Sequence, residues 1–184
     1  LTFFACCATH SGPIFHTVSY AVTCGIPILA AVSIYSIEGA GGLLGRVLIG
    51  LAGDRWGAKR VLVAGLLVQA IGAGAYFFVR DLEGFYSVAL IFGFAYGGVM
   101  PLYAVIAREY FGLRIMGTVF GAAAMVSAMG MALGPAVGGW IFDTFGGYGW
   151  LYIASSAIGF GAAAIALAFP PFPSERRAAA LSPA

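Results

Sequence analysis

Charge is scarce in this 184-residue sequence: nine Lys and Arg with seven Asp and Glu make up 9% of it, where a soluble domain carries about a quarter. So few ionic side chains cannot coat a water-facing surface of this size. That excludes an ordinary soluble protein and turns most of the exterior toward lipid or other helices. The formal net charge of +2 is too small and too dispersed for the basic stripe that binds nucleic acid. Cysteine is sparse as well. Cys6, Cys7 and Cys24 are odd in number and lack ligand spacing, which argues against a disulfide framework or a zinc site and for apolar packing. Catalytic signatures are missing too: there is no GxSxG, HExxH, Walker loop, CxxC or carboxylate cluster. A protease, a metal enzyme or an ATP-driven pump has no residues to run on, so no enzyme, cofactor or metal is expected. The chain opens on apolar Leu1 with no basic leader, which gives the expectation of a fragment whose upstream part is missing.

What is abundant is apolar and small. Hydrophobic residues are 61% of the chain and glycines number 28, with a mean hydropathy of +0.98. A crossing of the hydrocarbon core takes about 20 apolar helical residues. Six such runs stand at about 1–21, 29–52, 61–79, 85–107, 115–141 and 149–169, with polar breaks between them. β-Barrel strands would be shorter and alternating. The expected fold is therefore an all-α membrane protein, a six-transmembrane-helix bundle over 1–169, followed at 170–184 by a proline- and alanine-rich tail read as disordered and cytoplasmic. High glycine favours close helix packing.

Orientation follows from the basic residues, which concentrate in cytoplasmic loops. Arg55, Lys59, Arg60, Arg108, Arg114, Arg176 and Arg177 fall on one side of the runs, Arg80 on the other, and Arg46 inside the second run. The C-terminus is accordingly expected in the cytoplasm, in a plasma (inner) membrane.

After the second run the chain reads Gly50-Leu51-Ala52-Gly53-Asp54-Arg55-Trp56-Gly57-Ala58-Lys59-Arg60. Physically, Gly50 permits close helix approach and Gly57 a tight turn. Asp54 can pair with Arg55 or a helix N-terminus, and Lys59 and Arg60 suit anionic headgroups. The segment resembles the signature loop of the major facilitator superfamily, G-x-x-x-D-R/K-x-G-x-R/K-R/K, at every defining position. In that family it follows the second helix of each six-helix half and acts as a gate latch, so the resemblance implies conformational control for Asp54 and Arg55.

The fifth run carries Gly121, Gly130, Gly134-Pro135 and Gly138-Gly139. Gly130, Gly134 and Gly138 form one stripe for a neighbouring backbone, and Pro135 removes an intrahelical hydrogen bond. The pattern resembles the glycine-proline motif of the superfamily's antiporters, a form of which recurs in the second half. Ordinary small-residue packing explains it equally. Tyr110-Phe111-Gly112-Leu113-Arg114 before Gly117, and Asp143 before Gly146-Gly147-Tyr148, look like the last two helices of bacterial members near the monocarboxylate-porter and oxalate/formate-exchanger branches. The resemblances cover nearly the whole chain. They imply the second half of a twelve-helix fold, with a missing N-terminal six-helix half as partner.

Ionisable groups at membrane depth are expensive and therefore candidates for function. Glu38 and Arg46 lie on the second run, about 12 Å apart along a helix and about 80° around it, too far for a direct salt bridge. A guanidinium keeps its charge and offers a planar fork to a carboxylate. In monocarboxylate porters and oxalate exchangers an arginine at the place of Arg46 binds the substrate anion, so the resemblance implies that role here. Animal-type porters place an acid four residues earlier, where this chain has Gly42, which puts proton coupling through that acid in doubt. The alternative for Arg46 is a structural pairing that holds the bundle. His16 and Tyr20 share a face of the first run, with His10 offset. His16 is a candidate for a coupling proton along with Glu38, or a packing histidine, which is also the reading of His10. Tyr96 and Tyr103 share a face of the fourth run and either donate to a bound carboxylate or pack. Trp56, Tyr86, Trp140, Trp150 and Tyr152 read as an interfacial belt.

The expected function is secondary transport of a small organic anion, a monocarboxylate or dicarboxylate, by alternating access. Its partners are the lipid bilayer, the small-molecule substrate and protons. Arg46, Tyr96, Tyr103, His16 and Tyr20 are the candidate substrate contacts. The alternatives are proton-coupled efflux of a drug or amphipathic solute and, from another class, a non-transporting receptor or channel module.

Overall fold

The computed structural model describes residues 1–173; residues 174–184, and with them most of the expected tail with Arg176 and Arg177, lie outside the described residues. Six helices follow one another: α1 Thr2–Thr23, α2 Ile28–Trp56, α3 Ala58–Ala75, α4 Leu82–Phe111, α5 Met116–Phe145 and α6 Gly149–Leu167. A single 3-10 turn, Tyr76–Phe78, follows α3. Among the described residues there is no strand.

The helices outrun the apolar stretches. α2 holds 29 residues and α4 and α5 hold 30 each, about 45 Å at 1.5 Å per residue, against about 30 Å of hydrocarbon. Their ends therefore continue into the polar layer, where composition no longer marks them. The largest departure from the sequence expectation is the break at Gly53 to Arg60. The α-helix runs on to Trp56 and α3 starts at Ala58, so the signature segment is two helix ends joined at Gly57 alone, whose φ of +89° needs a residue without Cβ. At α4, Asp81 caps the N-terminus by accepting from the Gly84 amide at 2.9 Å.

Five helices, α2 to α6, are long and apolar enough to cross a membrane. α1 is not among them, because it carries Thr9, His10, Ser11 and Thr17. These polar residues are buried against neighbours. Thr9 and Thr17 return their hydroxyls to the Ala5 and Pro13 carbonyls at 2.8 and 2.7 Å, and Ser11 donates to the Gly130 carbonyl of α5 at 3.2 Å. α1 is thus a polar-faced helix inserted among apolar ones.

Packing rests on glycine. α2 lies along α4, where a Cβ on Gly45 would meet the Phe94 carbonyl oxygen, one on Gly93 the Glu38 carbonyl and one on Gly97 the backbone of Gly42. α5 lies along α1 in the same manner: Gly130 abuts the Phe4 carbonyl, Gly134 the backbone of Ser11, and Gly138 the His16 ring. The expected stripe on α5 is therefore a seam, whereas Gly121 and Gly139 face open space, as does Gly50. The close approach expected at Gly50 falls instead at Gly53, which faces Leu102, because the helix turns Gly50 away from α4.

The pairings obey a pattern. Replace α1, α2 and α3 by α4, α5 and α6, and the principal contacts are conserved: α2 on α4 becomes α5 on α1, α3 on α4 becomes α6 on α1, and α3 on α6 maps onto itself. Corresponding helices run in opposite directions, the arrangement of an inverted three-plus-three repeat. Two apolar cores fill the bundle. One, near Arg80, includes Tyr20, Tyr76, Phe85 and Tyr152; the other, near Lys59, includes Leu62, Leu66, Val99 and Leu102. Tyr152 is fully buried, so it belongs to the first core and not to an interfacial belt. Trp56, Trp140 and Trp150 are exposed at helix ends.

Candidate functional site

A cavity of about 580 Å³ opens between α1, α2 and α4. Helical spacing on α2 builds one wall, since Tyr35, Glu38, Gly42 and Arg46 recur every three or four residues and face it. α1 contributes His10, Ile14 and Phe15, and α4 contributes Gly93, Tyr96 and Gly97. The same glycines that let α2 and α4 touch leave this wall without side chains at its middle.

The two charges of α2 have different surroundings. Arg46 is exposed, lines the cavity, and forms no hydrogen bond or ion pair among the described residues. Tyr96 lies close enough to interact electrostatically with it. Glu38 is buried, and its Oε1 lies 3.5 Å from Nε2 of His10, with both side chains nearly sealed from solvent. The His10 ring is held flat: it stacks on Tyr96 with centroids 3.5 Å apart and planes within 3°, and on Phe92 at 5.1 Å. Nδ1 of His10 and both carboxylate oxygens of Glu38 make no hydrogen bond.

Of the residues singled out from sequence, Arg46, Tyr96 and Glu38 meet in this cavity. The others lie elsewhere. Tyr103 is buried, stacks on Phe3 at 4.2 Å and donates to the Thr2 carbonyl at 3.4 Å. His16 sits in the seam between α1 and α5, its Nε2 3.3 Å from the Gly134 carbonyl and its ring against Tyr148. Tyr20 donates to the Val79 carbonyl at 3.4 Å and accepts from Arg80, at the end of the bundle opposite Lys59. His10 is the cavity residue that sequence reasoning set aside as packing. Nothing in the linear pattern joins positions 10 and 38, and only the crossing of α1 and α2 does so.

At the other candidate region, Asp54, Arg55 and Arg60 are exposed, and Asp54 has no ion pair among the described residues. Lys59 donates to the Phe169 carbonyl, and Tyr110 donates to the Pro170 carbonyl. The chain leaving α6 is thereby tied across the ends of α3 and α4. No group of His, Cys, Asp and Glu among the described residues is arranged to hold a metal ion.

Apolar helices of membrane-spanning length, packed on glycine around a cavity with an arginine and a carboxylate, define an integral membrane protein of the helical-bundle class. The chain belongs to the Major Facilitator Superfamily, whose family model it matches over residues 1–183. It is 30% identical over 131 residues to a multidrug resistance protein B homolog of Mycobacterium tuberculosis, covering 71% of this chain and 24% of that protein. It is likewise 30% identical over 99 residues to the cis,cis-muconate transport protein of Acinetobacter baylyi, covering 54% of this chain and 24% of the relative. In fold it is similar to the crystal structure of a mutant of the nucleoside transporter NupG, with a TM-score of 0.68 at 22% identity, over 98% of this chain and 45% of that one. The chain thus spans about a quarter of these curated relatives and under half of the solved transporter. All-helical among the described residues, with six helices there, it has the fold of half of a twelve-helix facilitator.

Proposed function

We propose that this chain is the C-terminal six-helix half of a secondary transporter that moves a small organic anion, a monocarboxylate or dicarboxylate, by alternating access. The protein resembles the bacterial monocarboxylate-porter and oxalate/formate-exchanger branches in its helix-end motifs. The observation that carries the reading is Arg46: a cation at membrane depth, directed to a cavity, with no hydrogen bond or ion pair among the described residues. A charge so placed calls for an anion to complete it. The fork of the guanidinium fits a carboxylate in two parallel hydrogen bonds, and the Tyr96 hydroxyl stands nearby as a further donor. A partner half closes the cavity from the side that α2 leaves exposed. The site works in a plasma (inner) membrane, with the basic helix ends and the C-terminus in the cytoplasm.

The test is uptake of labelled carboxylates by the full-length protein in liposomes. Saturable uptake that disappears in Arg46→Gln supports the proposal, and wild-type vesicles that take up no carboxylate overturn it. A second reading, efflux of an amphipathic solute, is favoured by the apolar remainder of the cavity wall, Ile14, Phe15 and Leu43, and by the multidrug resistance homolog among the relatives. Ethidium extrusion that is unaffected by Arg46→Gln would select it.

A further inference from the structure

We propose that His10 and Glu38 form a single proton-holding pair that sets the charge of the cavity and so decides when Arg46 binds its anion. The inference rests on the anion-transport reading and adds to it a partner residue on α1 that holds the proton. Three observations carry it. The carboxylate and the imidazole lie 3.5 Å apart, Oε1 to Nε2, within reach of one shared proton after a small side-chain adjustment. The His10 ring is held in place by stacking on Tyr96 and Phe92. Both Glu38 oxygens are buried without a hydrogen bond, and a proton shared between Oε1 and Nε2 gives Oε1 a partner and removes the buried negative charge that an empty pair leaves costly.

The groups facing the pair are few. α1 brings Cys7, one turn before His10, with Sγ 3.9 Å from the Tyr96 hydroxyl. α2 brings Tyr35 and Arg46, the 3-10 turn after α3 brings Tyr76, and α4 brings Tyr96; Tyr35 and Tyr76 are close enough to feel the Glu38 charge. Apart from the pair, Arg46 is the one permanent charge among them.

The proton balance is simple. Loaded, the pair is either a carboxylic acid beside neutral imidazole or a carboxylate beside imidazolium, neutral in both forms, with the proton moving between Oε1 and Nε2. Unloaded, the proton has gone to water and the pair carries one negative charge. With Arg46 the cavity is then net positive when loaded and net neutral when unloaded. An anion at Arg46, about 12 Å along the helix from Glu38, feels the lost proton as a repulsion that weakens its binding about tenfold at an effective dielectric near 20. Loading favours anion entry and unloading favours release, which is symport. The stacking that holds His10 makes it a positioning residue as well as a proton acceptor.

The test uses the full-length protein in liposomes, with labelled oxalate and lactate as probes and pyranine inside to read protons. Wild type is expected to accumulate carboxylate down an imposed proton gradient, with pyranine acidification, and to bind it about tenfold more weakly once the pair is emptied at high pH. Glu38→Gln mimics the loaded pair. It should keep exchange of internal for external carboxylate and lose at least about tenfold of gradient-driven accumulation, with binding no longer dependent on pH. His10→Gln should also lose accumulation, and the double variant should be no worse than either single one. His16→Gln should retain coupling. The proposal is overturned if wild-type transport ignores the gradient, or if Glu38→Gln or His10→Gln still accumulates carboxylate as wild type does. If instead ethidium proves to be the transported probe, the anion reading fails while the pair is still judged, by whether the two variants abolish gradient-driven ethidium extrusion.

Discussion

Arg46 and Glu38 lie on one helix two turns apart, yet one reaches open cavity and the other is sealed against a histidine. The side chain with freedom is the one suited to meet a solute. Charge-assisted hydrogen bonds contribute about 1.5–3 kcal/mol each. Arg46→Gln is therefore expected to lower kcat/KM for carboxylate by about ten- to a hundredfold with unchanged protein yield, as measured by initial uptake rates and size-exclusion profiles of the purified protein. Arg46→Lys keeps the charge but not the fork, and should recover only part of the loss. At this scale the sequence told a good deal. Two ionic side chains in an apolar run are visible at once, and their separation on a helix correctly denied them to each other. His10 was invisible as a partner because its role depends on which face of α1 meets α2, information that resides in helix crossing and not in either helix.

Among the elements, the glycine seams determine how closely helices approach. A methyl group on Gly45 would collide with the backbone carbonyl of Phe94, which no rotamer change can relieve. Gly45→Ala should thus destabilise the bundle by about 1–3 kcal/mol and push α2 from α4, lowering the melting temperature of the detergent-solubilised protein. Gly139→Ala, on the same helix as the α5 seam but facing open space, should leave it unchanged. The stripe at Gly130, Gly134 and Gly138 was legible from its spacing of four. The seam on α2 was less so, because Gly41 and Gly45 sit among Gly39, Gly42 and Gly50, and composition alone does not say which of these faces a neighbour. Helix ends were the least legible feature. Beyond the hydrocarbon depth, helix persists through Gly53, Asp54 and Arg55 on backbone hydrogen bonds that need no apolar side chain.

For the molecule as a whole, the exposed end of α2 matters most. Asp54 and Arg55 have no partner ion among the described residues, although the signature segment they belong to matches the family pattern throughout. Groups at such an end are free to engage a neighbour in one conformation and release it in another. Asp54→Asn is expected to slow transport about tenfold while leaving substrate affinity within about twofold of wild type. Rates and equilibrium binding measured on the same preparation check this, and loss of binding with an unchanged rate constant would contradict it.

The exchange of α1, α2 and α3 with α4, α5 and α6 turns the bundle end for end and lays glycine on backbone in both settings. Such an object has little heading of its own. Inserted either way up, it would find much the same contacts waiting. What differs between its ends is Arg55, Lys59, Arg60, Arg108 and Arg114 with Asp54 and Glu109 at one and Arg80 with Asp81, Glu83 and Asp143 at the other. On the reading proposed above, a few side chains at the helix ends would thus serve as its compass.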